Sequence, residues 1–261
     1  MLFKIGDLVS RNSYHNDTIF KIMAIDGEIA SLKGVNIRLY ADSAISDLKK
    51  VESDQPILDD SRMMEKMDSF LNLERNEYFY LPGKVLHIDG DQEYLDRCMT
   101  FYKKFNIMAY GVNLRESEIA LEIAGYLEDL NPDIVVITGH DAYYKNNGDI
   151  HNIENYKNTK NFVDAIKATR KYEHSQEKLV IIAGACQSDY EELIKAGANF
   201  ASSPKRVNIH ALDPAIVACS IGLSDKNKPI DLIKILDKTK YGKAGIGGII
   251  TNGMMFVGYP R

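Results

Sequence analysis

Two rhythms of apolar and polar positions divide the chain. Over the first 52 residues the apolar positions fall in short runs: Asp7–Ser10, Thr18–Ile25, Ile29–Leu32 and Ile37–Tyr40. These runs are rich in β-branched and aromatic side chains and are separated by Asn-Asp, Asp-Gly and Lys-Gly pairs, which are turn signals. Four or five short strands in so little chain predict a small SH3-like β-barrel over 1–52, read first as a docking or packing module. Residues 53–82 follow as a helical connector. They carry the charged stretch SRMMEKMDSFLNLERNEYFY and end at Pro82-Gly83.

From Lys84 onward the period changes. Apolar runs at Val85–Asp89, Ile107–Val112, Asp133–Thr138, Leu179–Ala183 and Asn199–Ser202 predict strands. Between and after them, Gln92–Phe105, Ser117–Leu130, Asn158–Tyr172, Tyr190–Ala196 and His210–Ile221 carry helical spacing. Nearly continuous apolar strands alternating with helices predict an α/β domain over 83–261, with a mainly parallel sheet flanked by helices. The Gly-rich tail, Gly245–Pro260, is expected to add a closing strand or hairpin.

Composition narrows the choice of function. With 261 residues, 45% hydrophobic and 26% charged, the chain can bury a core without disulfide staples. A net charge of −5 argues against nucleic acid as a partner, because phosphate binding needs clustered Lys and Arg. No apolar run approaches the ~20 residues of a membrane span. Lys4 and Asp7 interrupt what would have to be a signal-peptide core. Three cysteines, Cys98, Cys186 and Cys219, are an odd count without a CxxC pair. They fit reduced thiols in a cytoplasm.

Chemistry in a parallel sheet gathers beyond the carboxyl ends of the strands. Two such ends stand out. DIVVITGHD delivers His140 just after Gly139, and KLVIIAGACQS delivers Cys186 just after Gly184-Ala185. Neighbouring strand ends would bring the thiol and the imidazole together. A free thiol titrates near 8.5, so an adjacent imidazole is needed to raise the thiolate fraction and to protonate a leaving amine. Gly139 and Cys186 are the candidate backbone donors to an oxyanion. Alone, either residue reads more simply as packing: an apolar cysteine or a polar strand cap. Both together, each after an apolar block and a glycine, point to a Cys-His dyad.

The order of His140, then Cys186 about 50 residues on, resembles the caspase–gingipain–clostripain superfamily of cysteine peptidases. The stretches KIGDLVSRNSY, PGKVLHIDGD, DIVVITGHDAYYK and IIAGACQSDYEELIKAGANFASSPKRVNIHALDP resemble the YabG family of sporulation peptidases over nearly the whole chain. The resemblance implies a caspase-like catalytic domain and a cysteine endopeptidase needing no metal or cofactor. It further implies a mother-cell or spore-surface location and spore coat and cortex-associated proteins as substrates. Cleavage after arginine is also implied, and that requires a pocket carboxylate. Asp89 is the first candidate, ahead of Asp91, which also reads as a helix N-cap. Asp141 would orient His140 or touch substrate, and Ser202 and Ser203 would line a peptide groove. The chain departs from the wider superfamily in having Asp141 after the histidine and Gln187-Ser188 after the cysteine. Two rival readings are a thiol amidohydrolase and a non-catalytic spore assembly scaffold. The first expects a G-x-C-x-G elbow with its histidine downstream, whereas this chain has GACQS with the histidine upstream.

Overall fold

The first strands form one antiparallel sheet. The computed structural model describes residues 3–51, 55–67, 78–144, 148–150 and 152–259. Strands β1 (Leu8–Arg11), β2 (Phe20–Asp26), β3 (Ile29–Gly34), β4 (Tyr40–Ala44) and β5 (Leu48–Lys50) lie in the order β4-β3-β2-β1-β5. This corrects the expected SH3-like barrel, because the edge strands β4 and β5 are not paired with each other and the sheet is open. The reason is visible in its core. Val9, Phe20, Ile22, Ala30, Leu32 and Leu48 belong to one buried cluster with Cys98, Phe101, Ile216 and Phe200 of the α/β region. The sheet therefore hides its apolar face against helices rather than by curling on itself.

Of the connector, α1 (Gln55–Glu65) is a helix, and 68–77 lie outside the described residues. Its last residues are a strand, β6 (Phe79–Leu81), paired antiparallel with β13 (Phe256–Gly258) from the tail.

The main sheet is built from β7 (Val85–Asp89), β8 (Ala109–Asn113), β9 (Ile134–Thr138), β10 (Val180–Ala183), β11 (Phe200–Ser202) and β12 (Ile246–Gly248). Their order is β12-β11-β10-β9-β7-β8, with five parallel strands and β12 antiparallel at the edge. Strands β7, β9 and β10 are buried at every position, as strands covered on both faces should be. Their residues alternate between two cores. Leu86, Ile88, Val135, Ile137 and Ile181 face the cluster that holds α3 (Glu116–Leu130), α4 (Thr159–Tyr172) and α5 (Tyr190–Lys195). Val85, Ile134, Val136, Val180 and Ile182 face the other cluster, with α2 (Gln92–Lys104) and α6 (Asp213–Gly222). α6 is buried at all its positions, consistent with its apolar sequence on every side. The short helix α7 (Leu232–Leu236) leads to β12.

Chain order reverses between β7 and β9, so the topological switch point lies at their carboxyl ends. Asp89 shares its pleat face with Val85 and His87, the face on which the N-terminal sheet packs.

Candidate active site

Three strand ends converge at the switch point. β7 ends in Asp89, β9 leads through Gly139 to His140, and β10 leads through Gly184 and Ala185 to Cys186. β9 and β10 are paired neighbours, as the sequence predicts. Gly184 has φ +103°, and a side chain there would strike Leu193, so the turn that presents the thiol needs glycine. At Gly139 the constraint is space: a Cβ would sit 2.5 Å from the Glu116 carboxylate.

Cys186 has no exposed surface and His140 only 6%. The Ile209 N–H donates to Cys186 Sγ at 3.2 Å. Burial pushes the thiol up to about 12, against the lowering influence of the Ile209 and Arg38 backbone groups. Burial likewise pulls the His140 imidazole down to about 4, with Asp91 and Asp89 opposing. At neutral pH both groups are uncharged in this arrangement. The His140 N–H of the backbone donates to Glu116 Oε1 at 2.8 Å. The ring packs between Tyr40 and Tyr94, with centroids 4.3 and 5.6 Å away. His140 Nε2 is buried without a hydrogen-bond partner among the described residues, and its nearest carboxylate oxygen is Asp91 Oδ2 at 3.7 Å.

Asp89 is the acid of a closed, fully buried ion pair. It is fully buried, and it accepts hydrogen bonds from the Asp91 N–H at 2.9 Å and Thr138 Oγ1 at 2.9 Å. The buried Arg38 guanidinium donates to Asp89 Oδ2 at 2.5 Å and to Ala211 O at 2.8 Å. Burial alone would raise the Asp89 carboxyl. Arg38 and His87 more than offset that and hold it below the usual carboxylate range. His87 bridges Tyr102 and Thr138 at 2.9 and 3.0 Å, a fully used core histidine.

Asp91 caps α2, accepting from the Glu93 and Tyr94 N–H groups, and pairs with Lys33 at 2.7 Å. It therefore does the helix-cap work expected of it while facing His140. Asp141 lines the small pocket beside His140, with its carboxylate tied up in hydrogen bonds. It is buried and accepts from Ala142 N, Asn158 N, Thr159 Oγ1 and Ser188 Oγ. Those bonds stitch the histidine loop, the start of α4 and the cysteine loop into one unit. Ser202 and Ser203 are also buried, and Ser203 is committed to Gly245 and Val207. The extended segment that pairs with another strand at the site is instead Ile209–Ala211, placed by the sequence reading around the start of a helix.

Arg38, Tyr94 and Glu116 escaped the sequence reading. Arg38 alone left a signal, as a charge inside the apolar run Val35-Asn36-Ile37-Arg38-Leu39. The larger cavity, about 1070 Å³ and lined by residues such as Lys84, Met108, Asp133 and Lys178, lies at the amino ends of the strands. A pocket of about 400 Å³ beside His140, lined by Ser31, Tyr40, Asp42, Tyr144 and Lys157, lies at the chemical end.

A parallel α/β sheet that carries a carboxylate, an imidazole and a thiol at the carboxyl ends of three successive strands is the plan of an α/β enzyme. The family model YabG peptidase U57 matches residues 4–260. The chain is also 42% identical over 286 aligned residues to the sporulation-specific protease YabG of Bacillus subtilis (strain 168), covering 100% of this chain and 99% of that protein. The chain belongs to the YabG peptidase family. No helix among the described residues is long and apolar enough to cross a membrane.

Proposed function

We propose that this chain is a cysteine endopeptidase of caspase-like design that cuts after arginine. It acts during sporulation on spore coat and cortex-associated proteins, in the mother cell or at the spore surface. Cys186 is the nucleophile and His140 the general base and acid. His140 takes the thiol proton as sulfur attacks the arginyl carbonyl and returns it to the leaving nitrogen. The N–H groups of Gly139 and Cys186 face the developing oxyanion. Asp89 reads the arginine side chain through a charge-assisted hydrogen bond.

The observation that carries this reading is the Asp89 pocket. At the end of the strand two places over from the one that leads to Cys186, a carboxylate already holds a guanidinium at 2.5 Å. The Bacillus relative's name supports the sporulation setting.

The test is digestion of a spore-coat extract, without added metal, by wild-type protein and by Cys186→Ala, with sequencing of the new ends. Fragments ending in arginine are expected from wild type, with a loss of at least about 10³-fold in the variant. Equal cleavage by both proteins would remove Cys186 as nucleophile.

A further inference from the structure

The turn between β3 and β4, residues 35–39, lies across the site. Ile37 forms an antiparallel bridge with His210. The Arg38 N–H donates to Ile209 O at 3.2 Å, and the Ala211 N–H donates to Asn36 O at 2.9 Å. Residues 36–38 are thus paired with 209–211 as an added peptide strand would be. At the end of this strand the Arg38 side chain reaches Asp89, and the Ile209 carbonyl that accepts its backbone N–H lies 3.8 Å from the Cys186 sulfur. Two residues on, the Tyr40 ring packs on His140. The chain therefore passes from thiol to imidazole across the Arg38–Leu39 bond.

We propose that Asn36–Ile37–Arg38 occupies the peptidase cleft as an internal substrate mimic, so that the intact chain holds itself shut. The cleft takes an extended peptide ending in arginine, and here the chain supplies its own. This inference rests on the roles given above to Cys186, His140 and Asp89. It accounts for a site whose thiol and pocket carboxylate have no exposed surface: a substrate chain reaches neither until the turn moves.

The turn is anchored from α2, outside the reacting groups. Tyr94 Oη shares its one proton between Gly34 O and Ile37 O, the second at 2.8 Å. Arg97 donates to Val35 O at 2.5 Å and to Asn36 Oδ1 at 3.1 Å. The mimic also resists being consumed. The Leu39 N–H is bent back onto Ile37 O at 2.9 Å, and β3 and β4 stay paired from Ile29↔Ala44 to Lys33↔Tyr40. If Cys186 took the Arg38 acyl group, the freed Leu39 amine would stay beside the thioester. It would re-form the amide and return the proton to sulfur.

The test is the rate at which a peptidyl-arginine chloromethyl ketone alkylates Cys186, mapped by mass spectrometry. Iodoacetamide serves as a reagent without arginine specificity. Arg38→Ala vacates the pocket, and Tyr94→Phe keeps the ring but deletes two anchors of the turn. The second variant decides the matter if the first does not fold. The arginyl reagent is expected to label Arg38→Ala at least about tenfold faster than wild type, and Tyr94→Phe several-fold faster. Folded variants that react with both reagents at the wild-type rate would overturn the mimic. Faster iodoacetamide labelling without faster arginyl labelling would uphold the cover and reject the arginine specificity on which the functional reading depends.

Discussion

The two ends of the parallel sheet each bury an arginine, and they bury it in opposite ways. At the amino ends of β10 and β11, Arg170 is held by neutral oxygens: Leu179 O at 2.8 Å, Gly197 O at 2.8 Å and Asn199 Oδ1 at 2.6 Å, with the Glu173 and Ser175 carbonyls beyond. Burial without a close carboxylate partner pulls its guanidinium down to about 10. At the carboxyl ends, Arg38 meets one buried carboxylate and a single backbone carbonyl, Ala211 O, and its Nε has no hydrogen-bond partner among the described residues. Arg170 ties loops together through their backbones, so its acceptors exist only because the chain is folded around it. Arg38 enters a pocket whose chemistry would suit any arginine. The first is a clamp, and the second is placed as an exchangeable ligand would be.

Three outcomes would break or sharpen that contrast. The largest belongs to the clamp. Arg170→Ala strands several buried carbonyls, each worth about 1–3 kcal/mol when left unsatisfied, so a loss of about 4 kcal/mol is expected in urea unfolding. The cleft should keep its wild-type alkylation rate. Faster labelling in this variant would make the two arginines alike. Next comes Arg38→Ala, which leaves Asp89 charged and unpaired and should cost about 3 kcal/mol. Adding Asp89→Asn should return most of that loss. A double-mutant cycle showing no coupling would count against a ligand-like pair.

The smallest effect is a pH dependence of stability. The folded protein binds a proton at His140 less readily than the unfolded chain, because burial lowers its imidazole from 6.5 to about 4. Stability is then full above about pH 6.5 and falls as the pH drops from there towards 4. At about 1.4 kcal/mol per unit, at most about 3 kcal/mol should be lost over that window. His87, also lowered by burial, adds in the same direction. His140→Gln should flatten part of the slope, and a slope unchanged by the substitution would mean that the imidazole is already hydrated in the folded protein.

Legibility in the sequence follows the range of the interaction. Val85–Asp89, Asp133–Thr138 and Leu179–Ala183 read as strands because burial on both faces writes apolar residues at every position. His140 and Cys186 read as a pair because each directly follows one of these strands. The Asp91 cap was equally plain, lying one residue before its helix. The open N-terminal sheet was not legible, since alternating apolar positions show that a face is hidden and not what hides it. The partners of Asp141 were not legible either: its four hydrogen bonds come from Ala142, Asn158, Thr159 and Ser188, three of them distant in the chain.

By itself, the sequence determined the two rhythms, the order of strands and helices and the placing of Cys186 and His140 just beyond neighbouring strands, because these depend on neighbours within a turn or two of the chain. Only the tertiary structure decided that Arg38 meets Asp89, 51 residues on, and Ala211, 173 residues on. It alone made residues 209–211 a strand partner and closed the thiol from solvent. Those contacts join segments whose meeting depends on how the N-terminal sheet docks on the α/β core, and docking is set by shape and burial summed over many residues rather than by any local pattern.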